Sequence, residues 1–262
     1  MVTSTTLQIK RMSYSALFIA LSVILTRFLS FEVGFFRVGF GSLPIIISSI
    51  VCGPIYGAIT GIGADVIGAI FFPKGPYFYG YTIDAMTQGI LPFLVLKAFK
   101  GRYKASFIYS SLVALGILTY VIFFVLNVEV YSNKSLGIKF EITNVLKFVI
   151  PSLVVLYFII FLLVSYFFHR QKKIHIFSRE ERYFSFFDIY LISMTNTLFI
   201  SMTLLSVWNN MMFNIPYLVN SFTQLLTFSV NGILRSIITY LVLIPLCKID
   251  HNIAALPSLK NS

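Results

Sequence analysis

Charge is scarce along this chain, and that scarcity restricts its fold more than any motif does. Asp, Glu, Lys and Arg make up 11% of the 262 residues, against 58% hydrophobic and 17% aromatic. A soluble domain of this size keeps its surface hydrated with charge, which so small a share cannot do. Apolar runs recur from Met12 to Leu246, broken only by short polar clusters. They read as the helices of a polytopic membrane protein. No barrel pattern of short alternating strands is present, so the expected fold is an all-α integral membrane protein, one domain over 1–262.

Eight membrane segments are expected, at about 12–31, 41–54, 56–73, 82–99, 105–127, 145–168, 186–207 and 222–247, with ends uncertain by roughly 2–4 residues. The second and third follow from length. Between Val38 and Phe72 only Asp65 is charged, and one helix over that stretch would run roughly 53 Å against a hydrocarbon core of about 30 Å. Gly53-Pro54 sits near its middle, where proline disfavours a helical residue before it and lacks an N–H. Two shorter helices with a tight turn fit better.

The loop charges agree with eight. With the N-terminus inside, the cytoplasmic side receives Lys10, Arg11, Lys97, Lys100, Arg102, Lys104, Arg170, Lys172, Lys173, Arg179, Arg182, Lys248 and Lys260. The outer side receives only Arg37, Lys74, Lys134, Lys139 and Lys147. This bias places both termini in the cytoplasm of a cell-membrane protein. It also accounts for the formal net charge of +11 without nucleic acid, which would need a solvent-exposed basic face. The apolar run after Lys10 and Arg11 meets Arg27, Phe28 and Leu29 instead of a small-residue cleavage site, so it reads as a retained first helix. Cys52 and Cys247 lie far apart in apolar segments and read as packing residues. The basic loop from His169 to Phe184 lacks metal-ligand spacing, and no metal site is expected.

Candidate chemistry lies in small, charged and aromatic residues. Gly53, Gly57, Gly61, Ala64 and Gly68 form a stripe that lets helix backbones approach closely in lipid, and generic packing explains it equally well. Ala16 and Ala20 make a weaker stripe on the first helix. Asp65, Asp84 and Arg235 fall in or beside apolar segments, where an unpaired charge costs on the order of 2.5–3.5 kcal/mol. Such residues pair, face a cavity or bind a solute; Asp84, near a helix start, is also open to solvation. FFPKGPYFYGYT (71–82) and WNNMMFNIPYLVNS (208–221) are rich in rings and amides. They fit an interfacial aromatic belt or a lid over a planar, hydrogen-bonding ligand. Arg37 offers a bidentate grip on a carboxylate. There is no phosphate-binding loop, no H-E-x-x-H and no G-x-S-x-G, so energy for uphill transport must come from a partner or an ion gradient. No nucleophile–base pair argues for an enzyme.

Taken in order, Arg37, Gly39, Phe40, Pro44, Gly53, Pro54, Gly57, Gly61, Asp65, Gly68, Pro73, Gly75, Tyr77, Phe78, Gly80, Tyr81, Thr82 and Gly89 resemble the core signature of folate-type S components. These are the substrate-binding membrane subunits of energy-coupling factor (ECF) vitamin transporters. NTLFISMTLLS (196–206) is similar to that family's fifth helix. The resemblance implies capture of folate or a related vitamin outside the cell, and docking through Ala16 and Ala20 on a transmembrane coupling subunit. Two cytoplasmic ATPase subunits would use the ATP, leaving this chain without a cofactor. It further implies a six-helix core, so that 104–180 reads as an inserted helical pair with its basic loop. Where the family's last helix begins with Arg and Lys, this chain has Asn220, Thr223 and Gln224. For a pterin-like ligand, stacking falls to Phe40, Tyr77, Phe78, Tyr81 or Trp208, the donor edge to Asp84, an acidic tail to Arg37, and a pocket-floor or helix-holding role to Asp65. The alternatives are an S component for a different vitamin, or an ion-coupled secondary transporter of a small heterocyclic metabolite with Asp65 and Arg235 at its ion site.

Overall fold

The computed structural model describes residues 4–33, 36–73, 76–99, 103–127, 130–133, 138–141 and 186–249, with the single residues 152 and 159. Among the described residues lie seven helices: α1 (Ser4–Arg27), α2 (Ser42–Cys52), α3 (Pro54–Phe71), α4 (Tyr79–Phe99), α5 (Tyr103–Asn127), α6 (Phe186–Phe213) and α7 (Tyr217–Ile249). The expected segment 145–168 and the basic loop 169–184 fall outside the described residues, apart from those two single positions. Thr5–Arg27, Pro54–Phe71 and Phe186–Phe213 are long and apolar enough to cross a bilayer, and Ser42–Cys52, Ile108–Phe124 and Gly232–Leu243 are shorter apolar helices.

The described fold is helical, as expected, with two short hairpins in the connections between helices. Strands β1 (Phe31–Val33) and β2 (Phe36–Val38) pair antiparallel with Glu32 opposite Arg37, and β3 (Val130–Asn133) pairs with β4 (Ile138–Glu141). Phe and Val favour a pleated ribbon, and each run is too short for a helix to propagate.

The break between α2 and α3 falls where the sequence places it. Gly53 adopts φ 104°, a region closed to most side chains. Pro54 follows at the first helical position, where its missing N–H costs nothing. At 11 residues, α2 is only about 16 Å long.

Hydroxyls fill much of the interior while large apolar groups face outward. Ser22, Ser48, Ser49, Thr60, Ser110, Ser236 and Thr239 are buried, whereas Ile9, Met12, Leu17, Ile55, Ile59, Ile70, Ile108 and Leu112 are exposed. This distribution suits lipid, where small polar residues sit between helices and apolar ones meet acyl chains. Several of these hydroxyls are hydrogen-bonded within the bundle: Thr60 donates to the Tyr56 carbonyl, and Ser48 and Thr60 oxygens lie 2.8 Å apart. Ser49 accepts from the Phe93 N–H at 3.3 Å, just past Pro92 inside α4. Close approach is greatest between α3 and α4, where a side chain on Gly57 would overlap the Gly89 carbonyl and one on Gly61 the Ala85 carbonyl.

Within α6, Thr197–Leu204 winds as a π-helix. Such wider turns rotate everything beyond them relative to an α-helix. The segment directly precedes Ser206, Trp208 and Asn209, so it sets the direction in which those side chains leave α6. Short links make α3 and α4, and α6 and α7, antiparallel neighbours. The last turns of α3 and α6 therefore meet the first turns of α4 and α7 at one end of the bundle.

Candidate ligand-binding site

At that end Asp84 is the central group. α4 begins at Tyr79, three residues earlier than expected, so Asp84 sits in its second turn. It is 5% exposed, which speaks against the alternative of a solvated carboxylate near the interface. Its Oδ1 accepts from the Trp208 indole N–H at 3.1 Å, across 124 residues of sequence. Its Oδ2 is buried and has no hydrogen-bond partner among the described residues. Buried polar atoms without partners are rare because desolvation is not recovered. This one is an acceptor facing no donor among the described residues.

Aromatic rings cluster around its partner Trp208. Phe78 makes edge contacts with Trp208 and Tyr81, each with ring centroids 5.7 Å apart, and lies 4.6 Å from the Tyr79 ring. Tyr79 and Trp208 rings are 6.4 Å apart. A side chain at Gly80 would strike both Phe78 and Trp208, so glycine there lets the rings close over the start of α4.

An amide relay extends the site toward α7. The Tyr81 hydroxyl donates to Asn209 Oδ1 at 3.0 Å. Asn209 Nδ2 donates to Asn220 Oδ1 at 3.2 Å, and Asn220 Nδ2 donates to Ser206 Oγ at 2.9 Å. Each amide therefore has a fixed orientation. The expectation had placed Trp208 and Asn209 in a loop, but α6 continues to Phe213, and Asn214 in the left-handed region (φ 52°) ends it.

Asp65 belongs to a second, neighbouring relay. Its Oδ2 accepts from the Thr82 hydroxyl at 2.6 Å. Since Thr82 has a single hydroxyl proton, the Tyr77 hydroxyl, 2.8 Å away, is the donor in the other contact. Tyr77 is 59% exposed and forms the rim. Arg235 bonds elsewhere, donating to the Gly39 carbonyl at 3.2 Å. The described contacts of Asp65 and Arg235 thus lead to different partners, with no bond between the two among the described residues. Phe40 is half-buried at the start of α2 with no described ring contact to the cluster. Arg37 is placed by its backbone in β2 at this end of the bundle, and its side chain lies outside the described residues. Ala16 and Ala20 are exposed on α1. Cys52 is buried in the core among α2 neighbours.

Asn209, Ser206 and Tyr79 are site residues that sequence reasoning did not name. The run of four asparagines in 208–221 held the signal for Asn209. Nothing in the pattern signalled Ser206, which acts only as the last acceptor of a long-range relay.

A buried acceptor under aromatic rings, at one end of an apolar-faced helical bundle, defines a membrane-embedded binder of a small ligand. Residues 10–165 match the family described as ECF transporter, substrate-specific component, and the chain belongs to that family. It is the substrate-binding subunit of such a transporter. Over 139 residues, 52% of this chain and 77% of the relative, it is 32% identical to the folate transporter FolT of Clostridium novyi (strain NT). A solved structure of FolT bound with folic acid covers 88% of this chain and 90% of its own, at a TM-score of 0.49 and 17% identity.

Proposed function

We propose that the chain captures folate or a closely related vitamin at the outer face of the cell membrane. The ligand then passes inward when the chain docks on a transmembrane coupling subunit driven by two cytoplasmic ATPases, which use the ATP. The observation that carries the reading is the buried Oδ2 of Asp84, without a partner among the described residues, beside Trp208 and the rings that pack on it. A pterin edge presents two parallel N–H donors, and a carboxylate accepts two. Oδ1 has a second lone pair free beyond the Trp208 bond, so both oxygens can serve. The flat heterocycle suits ring contacts of the kind these side chains already make with one another.

The other roles follow from placement. Tyr77 at the rim and Phe40 near the hairpin provide further ring surface, and Arg37 meets an acidic tail. Asp65 holds Thr82 and hence the entry to α4. Eight spans with both termini cytoplasmic, and 104–180 as an inserted pair, complete the topology. Titrating purified protein in detergent with folate and 5-formyl-tetrahydrofolate, following Trp208 emission, tests the reading. Saturable one-to-one binding is expected without any ATPase present. No response by fluorescence or calorimetry sends the search to other vitamins.

Ala16 and Ala20 separate binding from transport. Both are exposed on a face of α1 shared with Met12 and Ile24, and small residues there admit a close helix contact. Ala16→Trp with Ala20→Trp is expected to lower cellular uptake about tenfold or more, since overfilling a packed contact costs about 1–3 kcal/mol. Ligand affinity of the purified variant should match wild type. Uptake unchanged would place the docking surface elsewhere.

A further inference from the structure

Helix α5 lies in the stretch set aside as an insertion, yet its contacts lead into the site. We infer that α5 is a buttress of the ligand pocket, with Tyr120 and Phe124 acting as positioning residues for it. The inference rests on the pocket reading above and extends it to a helix none of whose described side chains is among the site residues named there.

Three observations converge on one turn of α7. The Tyr120 hydroxyl donates to the Leu218 carbonyl at 2.9 Å. Phe124 stacks on Phe222 with centroids 4.2 Å apart and planes 10° from parallel, and both rings are almost wholly buried. Val121 and Phe124 also pack in one apolar cluster with Val219, Leu225 and Met202, the last from the π-segment of α6. Residues 117, 120, 121 and 124 share a helix face, while Leu115, Ile122 and Phe123 point outward. On the α6 side of the same turn, Ser221 donates to the Met202 carbonyl at 2.8 Å.

Asn220 stands between these contacts, and its amide orders Asn209, which in turn receives Tyr81. Tyr217 opens α7, so residues 218–222 belong to its first turns, where helices fray, and the Asn220 N–H bonds the Pro216 carbonyl at 3.1 Å. A frayed turn would release Asn220 and with it the whole amide relay. The aromatic clamp from α5 prevents this, so a hydroxyl on α5 governs the order of amides it never touches.

The test uses Tyr120→Phe, Phe124→Leu and, as a control on the outward face of α5, Ile122→Ala. Trp208, the sole tryptophan and the neighbour of Asn209, reports local order through acrylamide quenching without any ligand. Measured well below the melting midpoint, quenching is expected to rise for Tyr120→Phe and Phe124→Leu and to stay at the wild-type level for Ile122→Ala. Folate affinity should fall about three- to tenfold for Tyr120→Phe, the range one neutral hydrogen bond spans. Should wild type fail to bind folate, the vitamin assignment falls while the quenching series still decides the buttress. Wild-type quenching in Tyr120→Phe and in a folded Phe124→Leu would overturn it. Where Phe124→Leu does not fold, Tyr120→Phe, which removes only an oxygen, decides alone.

Discussion

Asp84→Asn is expected to weaken ligand binding by about two orders of magnitude while the protein stays folded. The amide keeps an oxygen for the Trp208 indole, which now bonds Asp84 Oδ1 at 3.1 Å. What changes is the buried position of Oδ2, where an NH2 group would meet the ligand's own N–H. One charge-assisted bond contributes about 1.5–3 kcal/mol, and every 1.4 kcal/mol is about tenfold in affinity. Losing one such bond and weakening its neighbour accounts for the expected drop. Asp84→Ala should bind as poorly and also melt earlier, because it strands the indole donor at a cost of about 1–3 kcal/mol. Calorimetry on a ligand analogue lacking the exocyclic amine closes a double-mutant cycle. If the Asn variant binds folate within about threefold of wild type, the free oxygen belongs to helix packing and the donor edge lies elsewhere.

Local chemistry made part of this arrangement legible in the sequence. The turn at Gly53-Pro54 could be placed because both residues restrict the backbone by themselves, and the structure puts α2 and α3 on either side of it. The glycine stripe likewise marked the buried side of α3, where Gly57, Gly61, Ala64 and Gly68 are all covered. Asp84 was named as a site residue, but its burial was not foreseen. Its cover, Trp208, comes from the far end of the chain, and the polar look of 208–221 argued for a loop. A π-segment, invisible to a period-3.6 reading, carries α6 onward and turns Trp208 toward α4. Asp65 and Arg235 each bond to a partner the sequence did not suggest, for a related reason. Two lone charges in apolar segments invite each other on paper, whereas a hydroxyl on the facing helix and a carbonyl of the loop before α2 stand nearer.

Gly61→Leu is expected to have the largest effect on the fold, and through the fold on the site. A Cβ at Gly61 would overlap the Ala85 carbonyl, which is backbone and cannot swing aside. Overpacking of an ordinary core costs about 1–3 kcal/mol, and a clash against a helix backbone belongs at or above the top of that range. At about 2–4 °C per kcal/mol for a chain of this size, the melting midpoint should fall by about 10 °C, or the protein should fail to purify as a single species. Two other glycines set the scale. At Gly63 an added carbon meets the Ile19 side chain, most closely its terminal Cδ1, which can rotate, and at Gly116 it meets nothing within 4 Å. Gly63→Ala should therefore be mild and Gly116→Ala neutral or stabilising, as expected for glycine relieved within a helix. Ala85 adjoins Asp84, so any Gly61 variant that folds must move α4 away from α3 and carry the carboxylate with it. Its folate affinity should drop even where its melting is measurable, whereas Gly116→Ala should bind as wild type. Equal midpoints for Gly61→Leu and Gly116→Leu would mean that the α3–α4 contact is slack, and that something other than this close approach holds Asp84 beneath Trp208.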